Sequence, residues 1–215
     1  MIPLFRAVRA VQRHARGVIA LGLALGLALL AAACSIKRVA RVDPASVTDL
    51  SGGWNDVDSR LVANELIGQV LGASWARDWA AAHGGETPTV IIGEFRNRTL
   101  EHIPIGTFQK DLERAFIGSS AVTLVASRGE REEVRAERLD QQANAAADTR
   151  ARLAREQGAR FVLQGDVQEI TDSQGREKIV YYQVDCTLID LETNAKVWAG
   201  QHKIKKYIQQ RRITP

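Results

Sequence analysis

KIVYYQVDCTLIDLETNAKVWAGQHKIKKY, residues 178–207, decides the fold. Its first half alternates. Val180, Tyr182, Val184, Cys186 and Leu188 share one face of an extended chain, and Gln183, Asp185 and Thr187 share the other. The spacing predicts a long strand over Lys178–Leu191, with Cys186 as a small buried residue. ETNA (192–195) predicts a tight hairpin, and Lys196–Tyr207 a strand returning antiparallel.

Upstream, DSQGR is a turn, and ARFVLQGDVQEI (159–170) predicts another strand. Residues 128–157 are charged and rich in Ala and Gln, predicting two helical stretches with a weak spot at Asn144–Asp148 and Gly158 as a left-handed cap. AVTLVAS (121–127) and TVIIGEF (89–95) predict short buried strands. Between them, a helix from about Ile105 places Phe108, Leu112, Ala115 and Phe116 on one stripe. The turn cluster SGGWNDVD supplies a cap in Asp56 or Asp58 for a long helix reaching Ala82, in which Trp75 and Trp79 belong to the core. The order is α-β-α-β-α-β-β-β. Helices between strands favour parallel pairing, so the expected fold is α/β. It is a single domain with a mixed five-stranded sheet, three parallel strands plus a C-terminal antiparallel hairpin, and packed helices.

The 215 residues are 45% apolar and 25% charged, a globular composition. The +4 net charge and pI of 9.3 come from the leader. Arg6, Arg9, Arg13 and Arg16 face no acid within residues 1–33, and the remainder carries 25 basic and 25 acidic side chains. Overall charge therefore gives no basic face for nucleic acid. A basic stretch, the uncharged run GVIALGLALGLALLAAA (17–33) and then Cys34 make a secretory signal. The LLAAAC ending resembles a bacterial lipobox, in which cleavage precedes the cysteine and the thiol is acylated. Ser35, where an inner-membrane retention signal would resemble Asp, directs the lipoprotein to the outer membrane. The expected organisation is a signal peptide over 1–33, a lipidated N-terminus and short tether over 34–50, a periplasmic α/β domain over 51–207 and a loose tail over 208–215. Sixteen residues from Cys34 to Asp49 extend to about 55 Å at most and to about 20–25 Å as a flexible coil.

The chain has no HExxH, Walker loop, GxGxxG after a strand or GxSxG elbow, and no cysteine pair once Cys34 is acylated. No cofactor is expected, no metal site and no catalytic set. The acids of 130–140 interleave with arginines as on a solvated helix. Two features are candidate sites. Arg96-Asn97-Arg98-Thr99 leaves the carboxyl end of a strand, where α/β folds place ligand contacts. Its alternative role is structural, with Asn97 and Thr99 making turn hydrogen bonds. Lys203, Lys205, Lys206, Arg211 and Arg212 form a basic strip. It is either a charged edge that blocks sheet-to-sheet pairing or a contact for an acidic partner or an anionic surface such as peptidoglycan or lipid headgroups.

Several segments together resemble a known family: the lipobox, DLSGGWNDVDSRLVA (49–63), TPTVIIGEFRNRT (87–99), TFQKDLERAF (107–116), GARFVLQGDV (158–167) and LIDLETNAKVWAGQHKIKKY (188–207). They look like the outer-membrane lipoprotein activators of penicillin-binding proteins, the LpoB type. The resemblance implies a noncatalytic, lipid-anchored periplasmic domain with a role in cell shape. It implies binding to a bifunctional penicillin-binding protein and stimulation of peptidoglycan synthesis. Arg96, Asn97, Arg98 and Lys206 are the candidate partner contacts. Well-known members carry a long Pro-rich stretch before the domain, whereas the tether here holds one proline, Pro44. Lipoproteins of the curli-export type, components of outer-membrane secretion complexes, resemble the domain in fold and are the alternative reading.

Overall fold

A computed structural model describes residues 38–153 and 155–209. The chain divides into two units, Met1–Ser46 and Val47–Pro215. In the first, the described residues are irregular, with a turn in which the Ser46 N–H donates to the Asp43 carbonyl at 3.0 Å. The second holds every helix and strand among the described residues.

Helix α1 spans Asp56–Gly72 and α2 spans Trp75–Ala82. The predicted single long helix is therefore broken, because Ala73 is extended (ψ 160°) and ends α1. The cap also differs from expectation. Asn55 is the N-cap, and Asp58 answers as the third residue of a capping box, its carboxylate accepting the Asn55 N–H. Val62, Ala63, Leu66 and Val70 bury one face of α1. Trp75 and Trp79 set their rings edge-on to Phe161 at 5.4 and 5.2 Å, so both aromatics pack against the core as expected.

Strand β1 is Thr89–Asn97, two residues longer than predicted, followed by helix α3 (Ile105–Ser119) and strand β2 (Thr123–Leu124). Phe108, Leu112 and Phe116 are buried on one α3 stripe, each burial stabilising by roughly 1.5–3 kcal/mol. Strand β2 is only two residues long, against seven expected. Helix α4 (Arg128–Asn144) is capped by Ser127 with Glu130 and buries no residue, as its interleaved charges required. Lys110 and the Ser127 cap hold the Glu130 carboxyl down at about 2. The second helical stretch does not form. Among the described residues of 145–160 none is helical, and Ala145, not Gly158, caps α4. Ala146, Ala147 and Asp148 offer no apolar stripe to bury and so no tertiary gain to extend the helix.

Strands β3 (Phe161–Gln174), β4 (Glu177–Asp190) and β5 (Lys196–Gln209) are each 14 residues long, roughly 45 Å. The sheet order is β2-β1-β3-β4-β5. Strands β2, β1 and β3 are parallel, while β3–β4 and β4–β5 are antiparallel. The mixed sheet is thus as expected, with a second helix before β1. Strand β5 runs on through Ile208 and Gln209, so the tail begins later than residue 208; residues 210–215, with Arg211 and Arg212, lie outside the described ones.

Val180, Tyr182, Val184, Cys186 and Leu188 are each at most 1% exposed, as the alternation required. Burial pushes the Cys186 thiol up to about 12, so at neutral pH almost no thiolate forms. In the Cys34→Ala chain, Cys186 is expected to react with a disulfide reagent at least about a hundredfold more slowly in the native than in the urea-unfolded protein. Equal rates would refute its burial.

Candidate functional site

Strand β1 carries Arg96 and Asn97 out of the sheet, and the Arg98 N–H donates to the Val167 carbonyl at 2.8 Å, extending the attachment to β3 by one residue. Asn97 then folds the chain back. Its Oδ1 accepts the Thr99 N–H (2.9 Å) and lies 2.7 Å from the Thr99 hydroxyl, while its Nδ2 donates to the Glu101 carbonyl (2.7 Å). This is the turn chemistry proposed as the structural alternative. Sequence reasoning missed what anchors the loop. Glu101 accepts the Tyr182 hydroxyl at 2.7 Å and the Trp54 N–H at 2.8 Å. Nothing in EHIP advertises that role, because both partners are distant in sequence.

On this fixed loop the two guanidinium groups stand outward, with side chains 58% exposed for Arg96 and 53% for Arg98. Arg96 reaches Glu94 at 2.7 Å, and its hydrogen bond holds the Glu94 carboxyl below the ordinary range. Arg98 lies 3.3 Å from Asp166, which faces Asp185 across the β3–β4 ladder. A shallow cavity of about 220 Å³ opens beside them, bordered by Glu94, Arg96, Asp166, Asp185 and Lys196. Its walls alternate in charge, which suits a polar protein surface better than an apolar ligand. Among the described residues, no group of three His, Cys, Asp or Glu side chains is placed to hold a metal ion.

Lys206 lies elsewhere. Its side chain is 12% exposed, and its ammonium donates to Asp58 (2.6 Å), Asp49 (2.8 Å) and the Gly53 carbonyl (3.0 Å). All three donors of the ammonium have partners within the chain. Desolvation opposes its charge, but the hydrogen bonds to Asp49 and Asp58 outweigh it and raise its pKa above the ordinary lysine value. Asp49 also accepts from the Asn55 side chain, and Lys206 draws its carboxyl below the usual range. The loop arginines are thus brought together by the fold, while Lys206 works at the ribbon's other face. Cys34 lies outside the described residues. No helix among those described is long and apolar enough to cross a membrane.

Residues 58–204 match the sequence model of the family described as peptidoglycan-synthase activator LpoB. The chain belongs to the LpoB family. Among solved structures it is similar to the LpoB C-terminal domain from Salmonella enterica, at 17% identity and a TM-score of 0.36, covering 71% of this chain and 99% of that one. It is similar to E. coli LpoB, at 17% identity and a TM-score of 0.37, covering 82% and 83%. Lipoprotein GNA1162 from Neisseria meningitidis matches at 18% identity and a TM-score of 0.34, covering 56% and 83%. No curated protein matches the chain. As an LpoB-family member, the chain belongs with regulatory activators of cell-wall synthesis, and the match spans α1 from Asp58 through most of β5.

Proposed function

We propose that this chain is a noncatalytic outer-membrane lipoprotein, cleaved before Cys34, acylated there and facing the periplasm. In this reading it binds a bifunctional penicillin-binding protein and raises that enzyme's glycan polymerisation and peptide cross-linking. The observation that carries the reading is the LpoB family match over residues 58–204. The Arg96–Arg98 loop supports it, because two exposed cations on a segment braced by Asn97 and Glu101 can meet an acidic surface at little ordering cost.

The test pairs the lipidated chain with the class A synthase of the same cell. Wild type is expected to bind and accelerate glycan polymerisation. Arg96→Glu with Arg98→Glu is expected to weaken binding by at least about tenfold, mainly through slower association, with a fall of only about 2–4 °C in melting temperature from the like charges that these two exposed positions set against Glu94 and Asp166. Asn97→Ala is expected to weaken binding less, by loosening the loop. Unchanged affinity in the double reversal places the contact on another face, and absence of stimulation by wild type overturns the activator reading.

A further inference from the structure

The described helices that pack on the sheet, α1, α2 and α3, lie on one side of it, facing Val184, Cys186 and Leu188. Among the described residues, no helix packs on the opposite side of the β3–β4–β5 ribbon, and its far end runs past the parallel strands. Strand β1 pairs with β3 only as far as Val167, so Gln168–Gln174 continue with β4 and β5 alone. Four cross-strand rows cover the bare face of this tip: Gln168–Gln183–Lys203, Ile170–Tyr181–Lys205, Asp172–Ile179–Tyr207 and Gln174–Glu177–Gln209. Ile170 is 66% exposed and Tyr207 59%. Lys203 and Lys205 are exposed beside them. Of the acids there, Glu177 is engaged by the Tyr207 hydroxyl at 2.8 Å, which leaves Asp172. Aliphatic, tyrosyl and lysyl side chains thus lie together on one face, among glutamines and two acids.

The amino-terminal chain joins the domain at this same end. Asp49 and the Gly53 carbonyl are bound by Lys206, and Gly52 sits so close to Ile208 that a Cβ would lie 2.5 Å from its side chain. The sixteen residues from Cys34 to Asp49 span about 20–25 Å as a coil, while the ribbon is roughly 45 Å long. A lipid on Cys34 would hold the domain by the tip end of the ribbon, where Asp49 is bound, and not by the Asp190–Lys196 hairpin.

We propose that the bare face of the ribbon tip docks on an anionic phospholipid surface. Lys203 and Lys205 meet headgroup phosphates, and Ile170, Tyr181 and Tyr207 sit at the boundary between headgroups and acyl chains. Tyrosine favours that boundary and lysine is drawn to anionic leaflets. The short leash supplies the effective concentration that makes a weak contact count. The inference rests on acylation of Cys34.

The experiment uses the lipidated full chain in vesicles whose headgroups carry a nitroxide quencher. A fluorophore is placed at the tip through Ser173→Cys, or on α4 through Glu133→Cys as the control. With phosphatidylglycerol in the vesicles, quenching at the tip is expected to exceed that on α4 by at least about threefold. The excess is expected to vanish in pure phosphatidylcholine and in the Lys203→Glu, Lys205→Glu variant. Equal quenching at the two sites, or an excess indifferent to both changes, overturns the proposal. Label-to-label energy transfer that grows with protein density without lipid quenching gives the face to a second copy. Protection of the tip only on adding the synthase gives it to that partner. A chain that does not float with the vesicles refutes the anchor instead, a failure seen before any quenching is measured.

Discussion

Lys206→Met is expected to lower the unfolding free energy by about 3 kcal/mol, a fall of roughly 6–12 °C in melting temperature for a domain of this size. Methionine keeps most of the stem volume, so the loss reports the ammonium. Removing it strands the Asp58 carboxylate, whose side chain is 6% exposed, with no cation beside it. A buried charge left alone costs more than the pair contributed. Asp58→Asn in the Lys206→Met background is therefore expected to recover part of the loss, which a purely steric effect would not allow. The pH profile gives a second check. Asp49 has a lowered pKa, so its contribution is present above the ordinary aspartate value and is lost as pH falls through its folded value. Lys206 has a raised pKa, so its contribution is present below the ordinary lysine value and is lost as pH rises through its folded value. The wild-type excess over Lys206→Met should form a plateau between roughly pH 4 and pH 10. A loss under about 1 kcal/mol would mean that the pair behaves as a solvated one.

Gly165→Ala is the second large expected effect. A Cβ at Gly165 would lie 2.2 Å from the Asp185 carbonyl oxygen and 2.8 Å from a Phe95 ring carbon. The carbonyl belongs to β4 and is held by the ladder, so it cannot rotate away. Either β3 and β4 part locally, or Phe95 leaves its place against Phe108, where the ring centroids are 5.2 Å apart. Overpacking of this kind is expected to cost about 3 kcal/mol in urea unfolding. Gly93 is the control. A Cβ there meets mainly the Val162 side chain, at 2.6 Å, with the nearest backbone atom at 3.3 Å. Gly93→Ala should therefore cost about half as much. Equal effects at the two glycines would mean that the β4 carbonyl yields as readily as a side chain.

What the sequence made legible was whatever is periodic and local. The alternation from Val180 to Leu188 and the Phe108–Leu112–Phe116 stripe are direct images of the faces they bury. The break after Gly72 was hidden, because apolar residues continue at helical spacing through Trp75 and Trp79, and the kink is decided by both rings packing on Phe161. Strand β2 was overread since AVTLVAS is as apolar as a full strand, yet only Thr123 and Leu124 pair in the ladder with β1, and Val125 adds a single N–H bond to the Val90 carbonyl. At the candidate site, Asn97 and Thr99 were legible as turn makers. The Glu101 brace and the burial of Lys206 were not, for each depends on a partner 47 or more residues away.

The seam between residues 49–53 and the end of β5 has a mechanical consequence. A pull along the amino-terminal chain meets the Lys206–Asp49 ion pair, the Lys206 bond to the Gly53 carbonyl and the Gly52–Ile208 contact before it meets α1 or the core. These are short-range polar contacts and one small packing contact, so they are the first to yield. When they open, the point of attachment moves from Asp49 to Trp54, which still rests edge-on against Tyr182. The leash lengthens by about 15–20 Å while the sheet stays folded. Opening of the Lys206–Asp49 contact under load is thus expected to add reach to a short tether.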